Sequence, residues 1–134
     1  MLKNIPLLGV IFIIYNLIAF ITPTTLNSVI IDTSLVSGAK WTFDVNHLML
    51  SLAIILLYIE IVKSTRTSTT SIIDHVLSML VFIIFLLEFI FVPQVGNSTF
   101  FLIMMISLLD IIAGFTITIS TAKRDISMDG QMIR

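Results

Sequence analysis

Three acidic side chains lie inside strongly apolar stretches, where the sequence offers no lysine or arginine to pair with them. They are Glu60, Glu88 and Asp110. Ionisable groups at membrane depth are costly, and Asp and Glu side chains mark proton relays in pumps and transporters. At about 1.5 Å per helical residue, Glu60 falls toward one membrane face, Asp110 near the middle and Glu88 toward the other face. One hypothesis is therefore a proton or cation route centred on Asp110.

The alternative hypothesis is structural, with protonated carboxyl groups donating hydrogen bonds between helices, each worth about 1 kcal/mol. Glu60 and Glu88 lie near the ends of their stretches, where side chains can extend toward water. Asp110 is too deep to do so, and Asn16 in the first stretch could hydrogen-bond it. The candidate intramembrane polar or proton site consists of Asp110, Glu88, Glu60 and Asn16.

Asp74 and His75 form a second polar cluster, which we expect at headgroup level at the inner end, where it could pair with Glu60. The two histidines, His47 and His75, lie at opposite ends of their helices, so they cannot hold a haem between them. Separated histidines without a cysteine do not form a zinc site. Hydrolase, P-loop and metalloprotease motifs are missing from the sequence. We therefore expect a protein that is not an enzyme, with no catalytic residues, cofactor or metal.

The composition indicates the class of protein. Hydrophobic residues make up 57% and charged residues 11%, with a mean hydropathy of +1.13. Soluble domains contain about 25% charged residues, so this chain lacks the polar surface to cover itself in water. A net charge of −1 argues against nucleic acid, and the absence of cysteine excludes disulfides. The expected surroundings are a lipid bilayer.

Four apolar stretches predict an all-α membrane protein, a bundle of four transmembrane helices that forms one domain over residues 1–134. A bilayer core about 30 Å thick needs about 20 helical residues. The predicted helices cover about residues 4–21, 45–63, 71–92 and 99–120. The connecting segments are an outer loop at 22–44, an inner loop at 64–70 and a cytoplasmic, frayed tail at 121–134.

Basic residues predict the orientation. With the N-terminus inside, the inner side holds six of the seven basic residues and the outer side holds only Lys40. The six are Lys3, Lys63, Arg66, Lys123, Arg124 and Arg134. This asymmetry follows the positive-inside rule and predicts that both termini are cytoplasmic.

Helical spacing places the polar residues of each span on a defined face. On the third helix the face consists of Asp74, Ser78, Val81, Phe85 and Glu88. On the fourth it consists of Ser107, Asp110, Gly114 and Thr121. On the second helix His47, Ser51 and Tyr58 align, while Glu60 points away from them. We expect these faces to meet inside a left-handed bundle.

The outer loop has the alternation of a short β-hairpin. Val29 to Val36 and Trp41 to Val45 alternate around a turn at Ser37-Gly38-Ala39. A tryptophan suits the membrane interface. Because an isolated hairpin is marginal in water, we expect it to rest on the outer end of the bundle as a cap; a partner-docking surface is the alternative. Asp44 is placed to cap the second helix.

Several segments together resemble one known type of protein. They are Ser37 to Phe43, Tyr58 to Lys63, Ser71 to His75, Leu77 to Phe82, Asp110 to Phe115 and Ala122 to Asp125. In these segments the chain is similar to small four-helix inner-membrane proteins of Gram-negative, especially alphaproteobacterial, type. The resemblance spans most of the chain. It implies a bacterial origin and a multi-pass inner-membrane topology, and it implies no particular activity.

The sequence therefore favours a small non-enzymatic integral membrane protein, an accessory or assembly subunit that binds another membrane protein or a further copy of itself. Small hydrophobic proteins with no catalytic residues and a compact outer element fit that role. The alternative is an oligomeric proton- or cation-coupled carrier that uses Asp110 with Glu88 and Glu60. A carrier would need several copies, because one narrow polar stripe does not enclose a pore.

Overall fold

The computed structural model describes the backbone of residues 5–65 and 69–132, and the side chains of residues 5–65, 72–120 and Lys123. The helices in this part are α1 (Leu7–Ile21), α2 (Val45–Ser64), α3 (Thr69–Phe91) and α4 (Ser98–Met132). Between α1 and α2 the chain forms two strands, β1 (Val29–Ser34) and β2 (Lys40–Asp44). We refer to the end of the bundle that holds the strands as the hairpin end, and to the other as the Lys63 end.

Three of the described helices are long and apolar enough to cross a membrane. They are α2, the Ile72–Phe91 part of α3 and the Ser98–Ser120 part of α4, with mean hydropathies of 2.0, 2.3 and 2.4. Helix α1 is equally apolar but has 15 residues, about 22 Å at 1.5 Å per residue. The prediction of a helical membrane protein is supported in part, because the described residues form four α-helices and three of these are long and apolar enough to cross a bilayer.

Two predicted helix boundaries differ from the structure by more than two residues. Helix α1 begins at Leu7 rather than at residue 4, because Pro6 precedes it with extended backbone angles. Helix α4 does not end at Ser120 but continues to Met132, so the prediction of a frayed tail is wrong over those residues. Residues 121–132 contain no proline and a single glycine, Gly130, so nothing in this stretch forces the helix to stop.

The helices form a bundle in which α1 and α4 each pack against both α2 and α3, so α1 and α4 lie diagonally across from each other. Aromatic rings fill the middle. Phe85 on α3 contacts Phe12 on α1 and Phe100 on α4, with ring centroids 4.6 and 5.1 Å apart. Tyr15 completes the group, with its ring centroid 5.5 Å from that of Phe100. Such pairs each contribute about 0.5–1.5 kcal/mol beyond their buried area.

The predicted polar faces of α3 and α4 point into the bundle. On α3, Asp74, Ser78 and Phe85 are buried. On α4, Ser107 and Asp110 are buried, and so is Gly114. The side chain of Thr121 lies outside the described residues. The predictions for α3 and for the rest of the α4 face are confirmed.

The predicted inner face of α2 is wrong. Tyr58 is 69% exposed on the outer surface of the bundle, whereas Glu60 is 1% exposed inside it. The face of α2 that is buried consists of Met49, Ala53, Glu60 and Ser64. Its small residues, Ala53 and Ser64, let neighbouring helices approach closely, which the larger side chain of Tyr58 would prevent.

The predicted hairpin is confirmed, with β1 antiparallel to β2 and Thr33 opposite Trp41. Asp44 caps α2 by accepting a hydrogen bond of 2.9 Å from the His47 N–H, while His47 Nδ1 accepts one from the Asp44 N–H. Every residue of β1 is exposed, so the hairpin does not lie across the bundle as the expected cap. It packs on the helices mainly through β2, which leads directly into α2.

Candidate functional site

Three buried carboxyl groups meet near the Lys63 end of the bundle. Glu60, Asp74 and Asp110 are 1%, 6% and 5% exposed. Lys63 lies beside them, with its Nζ 3.2 Å from Glu60 Oε1 and 3.6 Å from Asp74 Oδ1. We call these four residues the Lys63 cluster. The expectation that no basic residue pairs with the carboxyls is wrong here, because Lys63 at the end of α2 turns back into the bundle.

Glu60 has a structural task in this cluster. Its Oε1 accepts a hydrogen bond of 2.7 Å from the backbone N–H of Leu7, the first residue of α1. Pro6 provides no side-chain cap for that helix, so Glu60 on α2 satisfies a group that would otherwise be orphaned. Lys63 adds a second tie by donating a hydrogen bond of 3.1 Å to the Ile5 carbonyl. The start of α1 is thereby fixed to the end of α2.

Asp110 does not meet Asn16, contrary to the expectation. It contacts the Ser78 hydroxyl, and Glu60, Asp74 and Lys63 are close enough to act on it electrostatically. Among the described side chains, the cluster therefore contains three acidic groups and one basic group. Such an excess of negative charge is costly to bury unless bound protons or a cation compensate it.

Asp74 and His75, 6% and 7% exposed, are buried between the helices near the Lys63 end. His75 Nε2 is hydrogen-bonded to Thr118 Oγ1 at 2.8 Å, and its ring stacks on Phe115. The ring lies against the backbone of Gly114, where an added Cβ would be 2.8 Å from His75 Nδ1. The sequence signal for this packing was a glycine on the polar face of α4, directly opposite the polar face of α3.

Glu88 lies apart from the other carboxyls, on a groove that α1 and α3 form near the hairpin end. The groove has a volume of about 260 Å³. Asn16 adjoins Glu88 there and donates a hydrogen bond of 2.9 Å to the Phe12 carbonyl. Glu88 Oε2 and Asn16 Oδ1 are both buried and have no hydrogen-bond partner in the described part of the chain. The remaining lining residues are Phe12, Ile13, Leu17, Phe20 and Ile21.

A polar network at the hairpin end was missed from the sequence. Tyr15 is 0% exposed and donates a hydrogen bond of 3.0 Å to Asn97 Oδ1. Asn97 Oδ1 also accepts from the Phe100 N–H at 2.8 Å, so Asn97 caps α4. Asn46 Oδ1 lies 3.4 Å from the Tyr15 hydroxyl. The available signal was an asparagine immediately before an apolar helix, a favoured capping position.

The five sequence-selected acidic and amide residues thus divide between two places. Glu60, Asp74 and Asp110 share the Lys63 cluster, and Glu88 shares the groove with Asn16. Within the described residues no group of three or more His, Cys, Asp or Glu side chains is arranged to hold a metal ion.

Comparison of the chain with protein-family models, curated proteins and solved structures found no match. The Lys63 cluster and the groove between α1 and α3 are therefore the features that bear on its function.

Proposed function

We propose that the chain is a four-span integral membrane protein that works by binding another membrane protein. The fourth span is α1, which is hydrogen-bonded to residues at both ends of the bundle although it is short. Its Leu7 N–H bonds to Glu60 at the Lys63 end, and its Tyr15 bonds to Asn97 at the hairpin end. In the sequence, α1 is preceded by the polar residues Lys3 and Asn4.

The proposed orientation places the hairpin outside and both termini in the cytoplasm of a bacterium, in its inner membrane. The distribution of basic residues supports it, since Lys40 is the one basic residue on the hairpin side. The resemblance to small Gram-negative inner-membrane proteins agrees with this placement. An accessory or assembly role fits the described site residues best, because they can form hydrogen bonds and ion pairs with a partner and include no set of groups for covalent chemistry.

The observation that supports a binding role is the α1/α3 groove. Leu17 and Ile13 on its rim are 53% and 58% exposed, so the groove opens toward the surroundings of the bundle. Lipid tails cannot donate hydrogen bonds to the buried oxygens of Glu88 and Asn16. Leaving such a group unsatisfied costs about 1–3 kcal/mol. A transmembrane helix with a Lys, Arg or other strong donor would fill the groove and bond to the Glu88 carboxyl group, which lines it.

Site-specific cross-linking tests this proposal, and the absence of cysteine makes each introduced thiol unique. A photoreactive thiol reagent on Leu17→Cys should trap one partner protein in native membranes. The matched control is Ile54→Cys on α2, 57% exposed and remote from the groove, which should trap lipid. Glu88→Leu, combined with Leu17→Cys, should reduce the adduct about tenfold, as expected for loss of a charge-assisted hydrogen bond of about 1.5–3 kcal/mol.

Other outcomes of the cross-linking distinguish the alternatives. An adduct of twice the chain mass would identify a second copy as the occupant of the groove. Equal labelling of lipid from both sites, with no protein adduct, would overturn the binding proposal.

A second candidate, the proton- or cation-coupled carrier, is supported by the Lys63 cluster. Three buried carboxyls beside one lysine are groups that can take up and release a proton. Glu88 would not belong to such a route, because Phe85, 0% exposed, lies between it and the cluster on the same face of α3. Reconstitution of the protein in liposomes separates this candidate from the binding role.

A further inference from the structure

The hairpin has one apolar face and one polar face. Residues directly opposite each other on paired strands share a face. Ile31 pairs with Phe43 and Thr33 pairs with Trp41, which gives an apolar face with the two aromatic ring centroids 5.7 Å apart. The polar face is formed by the pairs Asp32 with Thr42 and Ser34 with Lys40. This separation is typical of an element that lies at a boundary between water and an apolar phase.

The apolar face is not covered by the rest of the described chain. Ile31 and Trp41 are 40% and 41% exposed, and all of β1 is exposed. Leu35 and Val36, which follow β1 at the turn, are also exposed. Clustered apolar surface of this kind is unfavourable in water, so it requires an apolar environment.

The apolar face continues into the lipid-facing surface of α2. The Phe43 ring stacks on His47, with centroids 5.8 Å apart, and Leu48 follows on the outer surface of the helix. No linker separates β2 from α2, because Asp44 ends the strand and caps the helix. Trp41 is four residues from the start of a membrane-spanning helix, at most about 14 Å along an extended strand.

We propose that the hairpin lies on the outer surface of the bilayer, with the Ile31, Trp41 and Phe43 face inserted at the boundary between headgroups and acyl chains. Tryptophan is enriched at that level, and amphipathic elements there bury their apolar face about 5–10 Å deep. The polar face, with Asp32 and Lys40, then points to water. This surface adjoins α2 and is distinct from the α1/α3 groove, so the inference does not depend on the proposed partner.

The experiment uses Trp41 itself, because it is the single tryptophan of the chain. The unmodified protein is reconstituted at high lipid-to-protein ratio in phosphatidylcholine vesicles, with or without acyl chains brominated near the headgroup. Brominated lipid should reduce Trp41 emission at least about twofold, because the indole would lie within reach of those positions. Aqueous acrylamide should quench it only weakly.

A control within the same hairpin calibrates these signals. In the double variant Trp41→Phe with Lys40→Trp, the indole moves to the neighbouring residue on the polar face. Acrylamide should quench this variant about threefold more strongly than the unmodified protein, and brominated lipid should have little effect. Strong acrylamide quenching of Trp41 without quenching by brominated lipid would overturn the proposal. Shielding of Trp41 from both quenchers would also overturn it and would point to a protein surface over the hairpin.

Discussion

The carboxylate of Glu60 on α2 accepts a hydrogen bond of 2.7 Å from the backbone N–H of Leu7, which opens α1. These residues are 53 positions apart in the sequence, so this bond joins two separate helices at the same end of the bundle. Lys63 strengthens the junction by bonding to both Glu60 and the Ile5 carbonyl. A buried acid that looks like a transport residue thus acts as the N-terminal cap of a neighbouring helix.

Removing this cap should destabilise the protein. We expect Glu60→Ala to lower the free energy of unfolding by about 1–3 kcal/mol, because the Leu7 N–H loses its acceptor in a buried place. Glu60→Gln keeps an acceptor oxygen and should lose less. Unfolding in mixed micelles, followed by helical circular dichroism, measures both. Tyr58→Phe is the control, since Tyr58 is 69% exposed on the outer surface of α2, and its effect should stay within about 0.5 kcal/mol. Equal stabilities for all three variants would contradict the capping role.

Gly114 should not tolerate a methyl group. Because a Cβ there would lie 2.8 Å from His75 Nδ1, we expect Gly114→Ala to cost about 1–3 kcal/mol through overpacking. Gly9→Ala is the matched control, since its Cβ would lie 3.5 Å from Val81 in ordinary contact and alanine favours helix. The same micelle unfolding assay compares the two variants.

A double-mutant cycle identifies the cause of the Gly114 effect. His75→Ala should remove most of the penalty of Gly114→Ala, because the ring that the methyl group meets is gone. If the penalty persists in the His75→Ala background, the clash with the histidine ring is not its source.

Asp110 separates the binding role from the carrier role. We expect no proton flux above that of empty liposomes for the unmodified protein, measured with an internal pH dye under an imposed gradient. Asp110→Asn should leave folding and partner binding nearly intact, because the amide keeps the shape and a hydrogen-bond donor. A flux that Asp110→Asn abolishes would establish the carrier role, since an amide cannot cycle a proton. A flux that survives the substitution would support a carrier that does not use Asp110.

The orientation can be tested with single thiols in the cysteine-free chain. In intact cells a membrane-impermeant thiol reagent should label Ser34→Cys and should leave Ser68→Cys and Ser127→Cys unlabelled. All three should react after the membrane is permeabilised, which controls for accessibility. The reverse pattern in intact cells would place the hairpin inside and contradict the positive-inside assignment.

The inner faces of α3 and α4 could be predicted because in each helix an acidic residue and a small residue one turn away mark the same face. Asp74 and Ser78 are one turn apart on α3, and Asp110 and Gly114 are one turn apart on α4. Helix α2 presents polar residues on two faces, one with Tyr58 and one with Glu60. The choice between those faces depends on which neighbour packs there, and helical periodicity contains no such information.

The hydrogen-bond and ion-pair partners of the carboxyl groups could not be predicted from the sequence either. Asn16 and Asp110 have similar depths, but depth does not specify the rotation of α1 about its axis, and that rotation turns Asn16 toward Glu88. The pairing of Lys63 with Asp74 depends on how closely the ends of α2 and α3 approach. The hairpin was predictable because its turn and its alternation are local, whereas its position beside the bundle is a tertiary property.

The rings of Phe12, Phe85 and Phe100 separate the two polar ends of the bundle with a dry layer. With the bundle in a bilayer, we expect each polar end to exchange protons and ions only with the solution on its own side. A change of pH or ionic strength in one compartment reaches the Lys63 cluster or the Tyr15 network, and the aromatic layer insulates the other end from it.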